Sequence, residues 1–304
     1  MKAWDAIGIG LAVRDVSVLL DRYPKPDEKM RARELHESGG GPVPTALVTL
    51  SRLGRRTGLC ATVGDDPEGR FILDGLVREG VDVSAVSVRK DFTSPTSVIL
   101  VENVRRTILE PPRGVDFPLD WSDVRKLPLE DASALLVDAR VVEVQIRAAR
   151  ITRGAGGLVV LDCGHPRAGV DDLIAESDIA VFSHTYPAAL LGPDFDARAF
   201  LSSIQSRLPR SGPAVAGITL GSRGCVMLSR EEGFFQLEAP RVRAVDTTGA
   251  GDVFHGAFLH AFLKTGAVEG AARFANVAAA RKCEGMTGRA PIPPEVEIWR
   301  LATP

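Results

Sequence analysis

Short apolar runs rich in β-branched residues alternate along this chain with longer stretches whose apolar residues recur every three to four positions. The runs Ala6–Gly10, Thr57–Val63, Ala134–Val137, Leu158–Asp162, Ile179–Phe182, Ala214–Thr219 and Cys225–Ser229 predict strands. The stretches Thr45–Leu53, Glu68–Glu79, Val141–Arg153, Asp196–Leu208, Asp252–Lys264 and Val268–Lys282 predict helices. Strands apolar throughout, separated by helices, predict an α/β fold of three layers, with a mostly parallel central sheet between helices. Two segments break the rhythm. Glu28 to Glu37 mixes charge with single apolar residues. Ser97 to Glu110 reads as a strand, a polar turn at Glu102–Arg106 and a return strand, which is a hairpin. Such a hairpin is either a plain extension of a sheet edge or a piece with a role of its own.

Composition narrows the class. The 304 residues are 45% apolar and 25% charged, ordinary for a globular chain that buries a large core. We treat them as a single α/β domain. A net charge of −2 gives no bulk attraction to nucleic acid or to an anionic membrane. Cys60, Cys163, Cys225 and Cys283 are scattered without metal-ligand spacing and read as reduced apolar fillers. No 18-residue apolar run predicts a membrane span, and the start lacks the features of a signal peptide, so a cytoplasmic location is expected.

The chemistry concentrates in Asp246-Thr247-Thr248-Gly249-Ala250-Gly251-Asp252, followed by an apolar helix. A small-residue turn at a helix start lets an anion approach the backbone, where the amides of Gly249, Ala250 and Gly251 and the helix dipole attract it. Asp252 is then placed either as a plain N-cap or as a general base beside the anion. Neither a Walker P-loop nor a Gly-x-Ser-x-Gly elbow occurs.

This stretch, with Gly256, Ala257 and Ala261 after it, resembles the second signature of the ribokinase-like (PfkB) sugar and nucleoside kinases. Ser38-Gly39-Gly40-Gly41-Pro42 and the following Leu50-Ser51-Arg52-Leu53-Gly54 resemble the first signature. The resemblance runs in family order over nearly the whole chain. It implies an ATP-dependent sugar kinase with Mg²⁺, Asp252 as base and Gly249–Gly251 as anion hole. It implies a small β lid over the sugar, built from insertions at about 11–38 and 96–116, with Pro111–Pro118 as its return loop. Asp15, Gly40, Gly41 and Thr45 are implied sugar contacts, although Pro44-Thr45 stands where the family usually has Asn. Thr219-Leu220-Gly221-Ser222-Arg223-Gly224 resembles the family's nucleotide loop, with Thr219, Gly221 and Gly224 on ATP phosphates and Asn276 beside adenine. Asp246 and Thr248, with the loop from Cys283 to Gly288, resemble its monovalent-cation site, which implies K⁺ held by backbone carbonyls. The acidic turn that helps organise Mg²⁺ in many members is replaced here by Ser183-His184-Thr185-Tyr186. The lid is often an oligomer interface, so a homodimer through Val98, Leu100 and Ile108 is expected.

Details of the two signatures look closest to the sulfofructose kinase and ketose kinase branch. Lys29 and Arg140 are then candidates to hold an anionic tail, with Arg105, Arg106 and Arg113 as rivals, and an anionic ketose such as 6-deoxy-6-sulfofructose is one candidate acceptor beside a neutral sugar such as fructose or ribose. The alternatives are a ribokinase, fructokinase or nucleoside kinase of the same family, or a non-catalytic sugar or nucleotide sensor on the same scaffold. An aromatic content of 6% argues against stacking a nucleoside.

Overall fold

The strands that read as uniformly apolar form the middle of one large sheet. In the computed structural model, which describes residues 2–110 and 118–303, nine strands lie in a single sheet. Across it run Gly233–Leu237, Cys225–Ser229, Val215–Thr219, Ile179–Ser183, Leu158–Cys163, Ala134–Val137, Ala6–Ile9, Thr57–Cys60 and Val81–Asp82. Pairing is parallel except at the Cys225–Ser229 strand, which is antiparallel to both neighbours. Ala6–Ile9, Ala134–Val137 and Thr57–Cys60 are buried at every residue, as strands covered on both faces must be. One apolar cluster joins the sheet to the helices Pro42–Arg52, Ala250–Thr265 and Val268–Lys282, and a second joins it to Val142–Gly154 and Ala197–Gln205. The three-layer reading therefore holds. The run read as one strand, Thr57–Val63, breaks at Ala61 into Thr57–Cys60 and Thr62–Gly64, and the second piece pairs with Ser87–Arg89 instead.

A separate four-stranded sheet has the order Glu34–Gly40, Val13–Leu20, Thr96–Glu102, Arg105–Leu109. The Val13–Leu20 strand escapes a sequence reading because it opens directly off the first strand, so Asp15, which no predicted strand or helix contained, lies in a strand. Thr96–Glu102 and Arg105–Leu109 form the predicted hairpin, turning on Asn103 (φ 45°) and Val104 (φ 71°). Val98 opposes Leu109, while Ile108 opposes Ile99. Opposed residues share a face, so Ile108 points away from Val98 and Leu100, and the expected apolar patch of those three is corrected by one residue of register. Arg113 and most of the Pro111–Pro118 return loop lie outside the described residues. Among the described residues no helix is long and apolar enough to cross a membrane.

Candidate active site

The helix Ala250–Thr265 starts above the ends of two central strands. Its seat is set by small residues: a Cβ on Gly256 would lie 2.4 Å from the Ala46 carbonyl oxygen, so this helix packs on Pro42–Arg52 nearly backbone to backbone. Gly249, the residue before the helix, sits in the left-handed region (φ 72°), and a Cβ there would lie 2.5 Å from the Gly288 carbonyl oxygen. Gly251 is exposed, and a Cβ there would meet nothing within 4 Å, so the bend opens on free space. The expected trio of amides is reduced. Ala250 N–H donates to the Thr247 carbonyl (3.2 Å), which leaves the Gly249 and Gly251 amides without a protein acceptor among the described residues.

Asp252 stands in a cluster of charge. Burial raises its pKa, opposed by His255, Arg106, Lys282 and Arg289. Asp162, at the end of Leu158–Cys163, is raised to about 7, mainly by burial; His255 lowers it and Asp252 raises it. His255 Nδ1 lies 2.8 Å from the Gly251 carbonyl and 3.2 Å from Asp162 Oδ2, and its Nε2 lies 3.2 Å from the Val181 carbonyl. His255 thereby ties the helix start to the strands Leu158–Cys163 and Ile179–Ser183 beneath it. Sequence reasoning passed over it, although its place one turn after Asp252 puts it on the inward side of the helix.

The small sheet brings a second carboxylate. Asp15 is opposite Ser38 on one side and Ser97 on the other, so three polar side chains share one face. Asp15 is 6% exposed, and its pKa is raised to about 7, mainly by burial and further by Asp252 and Asp246, against the pull of Arg289. Its carboxylate has no hydrogen-bond donor among the described residues. The three glycines make room for three close neighbours, Asp15 among them: a Cβ on Gly40 would lie 2.1 Å from Asp15 Oδ2, one on Gly39 2.2 Å from Arg289 Nη1, and one on Gly41 (φ 95°) 1.9 Å from the Leu11 carbonyl oxygen. Arg289, buried, donates from Nη2 to the Gly40 carbonyl (3.2 Å) and from Nε to Thr45 Oγ1 (3.4 Å). The Thr45 hydroxyl is thus already held by Arg289. Nothing in the sequence marks Arg289 except its place in a Gly-containing loop. Its basicity is lowered to about 10 by burial, against the carboxylates of Asp15 and Glu79.

The hairpin tip rests on the Asp246–Asp252 loop. Val104 bridges to Asp246, and Arg106 Nη1 donates to Thr247 Oγ1 (2.6 Å) and to the Thr247 carbonyl (3.1 Å). An open depression of about 590 Å³ lies at this junction, with Tyr23, Arg106, Ile108 and Thr247 in its walls.

The other predicted residues fall in several places. Thr219–Gly224 is a turn between antiparallel strands, with Gly221 (φ 61°) and Gly224 (φ 85°) in left-handed conformations. Asn276 is buried beside it, 3.5 Å from Cys225 Sγ. Ser183 and Thr185 turn their hydroxyls to the Gly164 carbonyl. Arg140 follows Ala134–Val137, borders Gly10 and Leu11, and pairs with Glu110 at 3.1 Å. Arg167 is close enough that Arg140 lowers its basicity, after the larger effect of burial. Lys29 is exposed and has no hydrogen bond or ion pair among the described residues. At the implied K⁺ cradle both carboxylate oxygens of Asp246 accept backbone amides, from Thr248 (2.8 Å) and Thr287 (2.9 Å), and the Lys282 ammonium sits on the carbonyls of Asp246 and Thr248.

The site thus combines an open helix start with free amides, a carboxylate beside it and a second buried carboxylate on a small separate sheet. Residues 5–294 match the model of the pfkB family of carbohydrate kinases, and the chain belongs to that family. It is an ATP-dependent carbohydrate kinase with the ribokinase-like fold. A nucleoside kinase of Methanothermobacter thermautotrophicus is 24% identical over 280 residues, covering 90% of this chain and 88% of that protein. A protein of Agrobacterium tumefaciens described provisionally as a ribokinase superposes with a TM-score of 0.85 at 26% identity, over 98% of this chain and 97% of that one. Ribokinase of Arabidopsis thaliana, solved with ribose and ATP, superposes with a TM-score of 0.80 at 23% identity, over 99% of each chain.

Proposed function

We propose that the chain transfers the γ-phosphoryl group of ATP to a primary hydroxyl of a sugar held between the two sheets, with the small sheet acting as the lid. The observation that carries this reading is the pairing of Asp252, beside the open Gly251, with Asp15 on the facing sheet. Asp252 takes the proton of the attacking hydroxyl, and its raised pKa makes it the stronger base. Asp15 accepts two sugar hydroxyls, a use that suits a buried carboxylate without donors of its own. The Gly249 and Gly251 amides and the helix dipole stabilise charge on the transferred group. Thr219, Gly221 and Gly224 line the phosphates of ATP, and Asn276 the adenine. Arabidopsis ribokinase binds ribose and ATP, which supports this division of the cleft.

Among the described residues no cluster of three metal-ligating side chains exists. The donor set fits a Mg²⁺ that arrives on the nucleotide and keeps its waters, with Asp162, whose buried Oδ2 makes no hydrogen bond among the described residues and has only the 3.2 Å ion-pair contact with His255 Nδ1, as a carboxylate that would serve that shell. When bound, Mg²⁺ neutralises charge on the β- and γ-phosphates.

For the acceptor we favour an anionic ketose such as 6-deoxy-6-sulfofructose. Support comes from Arg140 with Arg167, whose basicity Arg140 lowers, guanidiniums being suited to bidentate binding of an anionic oxygen pair. The exposed Lys29 is the weaker partner. The outer face of the lid, with Val98, Leu100, Leu35 and Leu109, supports a homodimer. ATP consumption across a panel of neutral sugars, sugar phosphates, sulfosugars and nucleosides tests the reading. Turnover of a sulfosugar above ribose and fructose supports the anionic acceptor. Turnover of nucleosides alone, or of nothing, overturns it.

A further inference from the structure

We infer that the ammonium of Lys282 takes the place of a monovalent cation, so that this kinase works without K⁺. The inference rests on the phosphoryl-transfer reading of the Asp246–Asp252 loop. Lys282 closes the helix Val268–Lys282, and none of it is exposed. Its Nζ donates to the Asp246 carbonyl (3.0 Å) and to the Thr248 carbonyl. Burial lowers its pKa, while Asp246 and Asp252 raise it. A buried ammonium is tolerated where carbonyls and carboxylates replace its water, and the same donor set would strip the water from a K⁺ ion. Both cations carry one charge to one place, and the carbonyls of Asp246 and Thr248 cannot serve both.

The consequence reaches the anion hole through one peptide plane. The Thr248 carbonyl and the Gly249 N–H belong to the same peptide unit, and no cis peptide bond occurs among the described residues. In a trans peptide the two point in opposite directions. Drawing the Thr248 carbonyl onto Lys282 therefore aims the Gly249 amide the other way, away from the ammonium. Lys282 is a positioning residue in this sense. It touches no reacting atom but fixes the donor that does.

The test compares KCl with choline chloride at equal ionic strength, using protein freed of K⁺. Wild-type rate and melting temperature should be the same in both salts. Lys282→Ala should lose at least about tenfold in kcat/KM in choline chloride, within the ~10²–10³-fold that outright loss of an anion-hole donor costs. K⁺ or NH₄⁺ should restore rate and raise the melting temperature of that variant, and Li⁺ should do neither. A wild-type rate or melting temperature that depends on K⁺ overturns the inference, as does a Lys282→Ala variant with full rate in choline chloride. If Lys282→Ala does not fold, the wild-type comparison alone decides. The melting arm needs no turnover, so failure of the kinase reading remains distinguishable from failure of this one.

Discussion

Asp252 and Asp15 stand on the two walls of the proposed cleft, close enough that Asp252 raises the pKa of Asp15, and the chain holds them by different means. Asp252 belongs to the wall built on the large sheet. A left-handed Gly249, a helix packed backbone to backbone at Gly256, and His255 bonded to the Gly251 carbonyl all fix it from within its own segment. Asp15 belongs to the small sheet, whose outermost strand Arg105–Leu109 is exposed at every residue. Its position depends on cross-strand register and on Arg289, a side chain nearly 275 residues later in the chain. One wall is a rigid chemical surface. The other is held down at a few points, as suits the lid of the proposed function, which has to admit and release substrate.

The comparison is broken most severely at the rigid wall. Asp252→Asn should keep the fold and nucleotide affinity but lose at least ~10²-fold in kcat, the scale of a lost general base. Thermal unfolding and ATP binding alongside turnover check it. Near-full turnover would remove Asp252 from the role.

Asp15 gives the next largest effect, and its sign is unusual. Its pKa is raised to about 7, mostly by burial, whereas in the unfolded chain it is 3.8. The carboxyl is therefore neutral at low cost below pH 3.8, and its contribution to stability is lost as pH rises through about 7. Asp15→Asn should raise the melting temperature at pH 8 more than at pH 5, while sugar KM rises by at least ~10-fold through loss of a charged acceptor. In the wild type, kcat/KM for the sugar should fall as pH drops below about 7, because the diol needs the ionised form. Equal effects of the substitution at both pH values would place the cost of burial elsewhere.

The two walls also differ in how far sequence discloses them. The body was legible because its signals are local: uniformly apolar runs mark buried parallel strands, and the Gly-Ala-Gly-Asp bend sits beside the helix it begins. Even there, the engaged Ala250 amide was invisible, since it depends on the exact turn at Thr247. The small sheet was half legible. The hairpin 96–109 shows in its alternation, but Val13–Leu20 is hidden by following the first strand, and the face of Ile108 turns on one residue of register. Arg289, His255 and Lys282 carry at most a faint local signature, His255 through its spacing from Asp252 and Arg289 through its Gly-containing loop. Each is an isolated polar residue whose meaning comes from carbonyls and carboxylates that only tertiary packing brings near.

A milder break concerns the fastening of the lid. Arg106→Ala removes the bonds to Thr247 and leaves the hairpin tip with the Val104 bridge and the 3.5 Å contact from Thr247 Oγ1 to the Val104 carbonyl. Sugar KM should rise by a few fold, corresponding to roughly 1 kcal/mol for a charged hydrogen bond at a partly exposed site. Stability should hardly change. A loss confined to kcat would mean that Arg106 acts on the transferred group rather than on the lid.

The smallest effect should come from the hairpin turn, and it carries the opposite sign. Asn103 and Val104 both take positive φ, as a two-residue turn of this hand requires. Asn tolerates that conformation, but a β-branched Val does not, and the strain amounts to about 1–2 kcal/mol. Val104 is held in it by its bridge to Asp246. Val104→Gly removes the strain but gives the unfolded chain more freedom, worth about 0.5–1 kcal/mol in the other direction. The net should be a gain of less than ~1 kcal/mol, read as a slightly higher melting temperature with unchanged KM. A fall in stability instead would show that the Val104 side chain, which is partly exposed, contributes more through its contacts at the cleft mouth than its backbone loses.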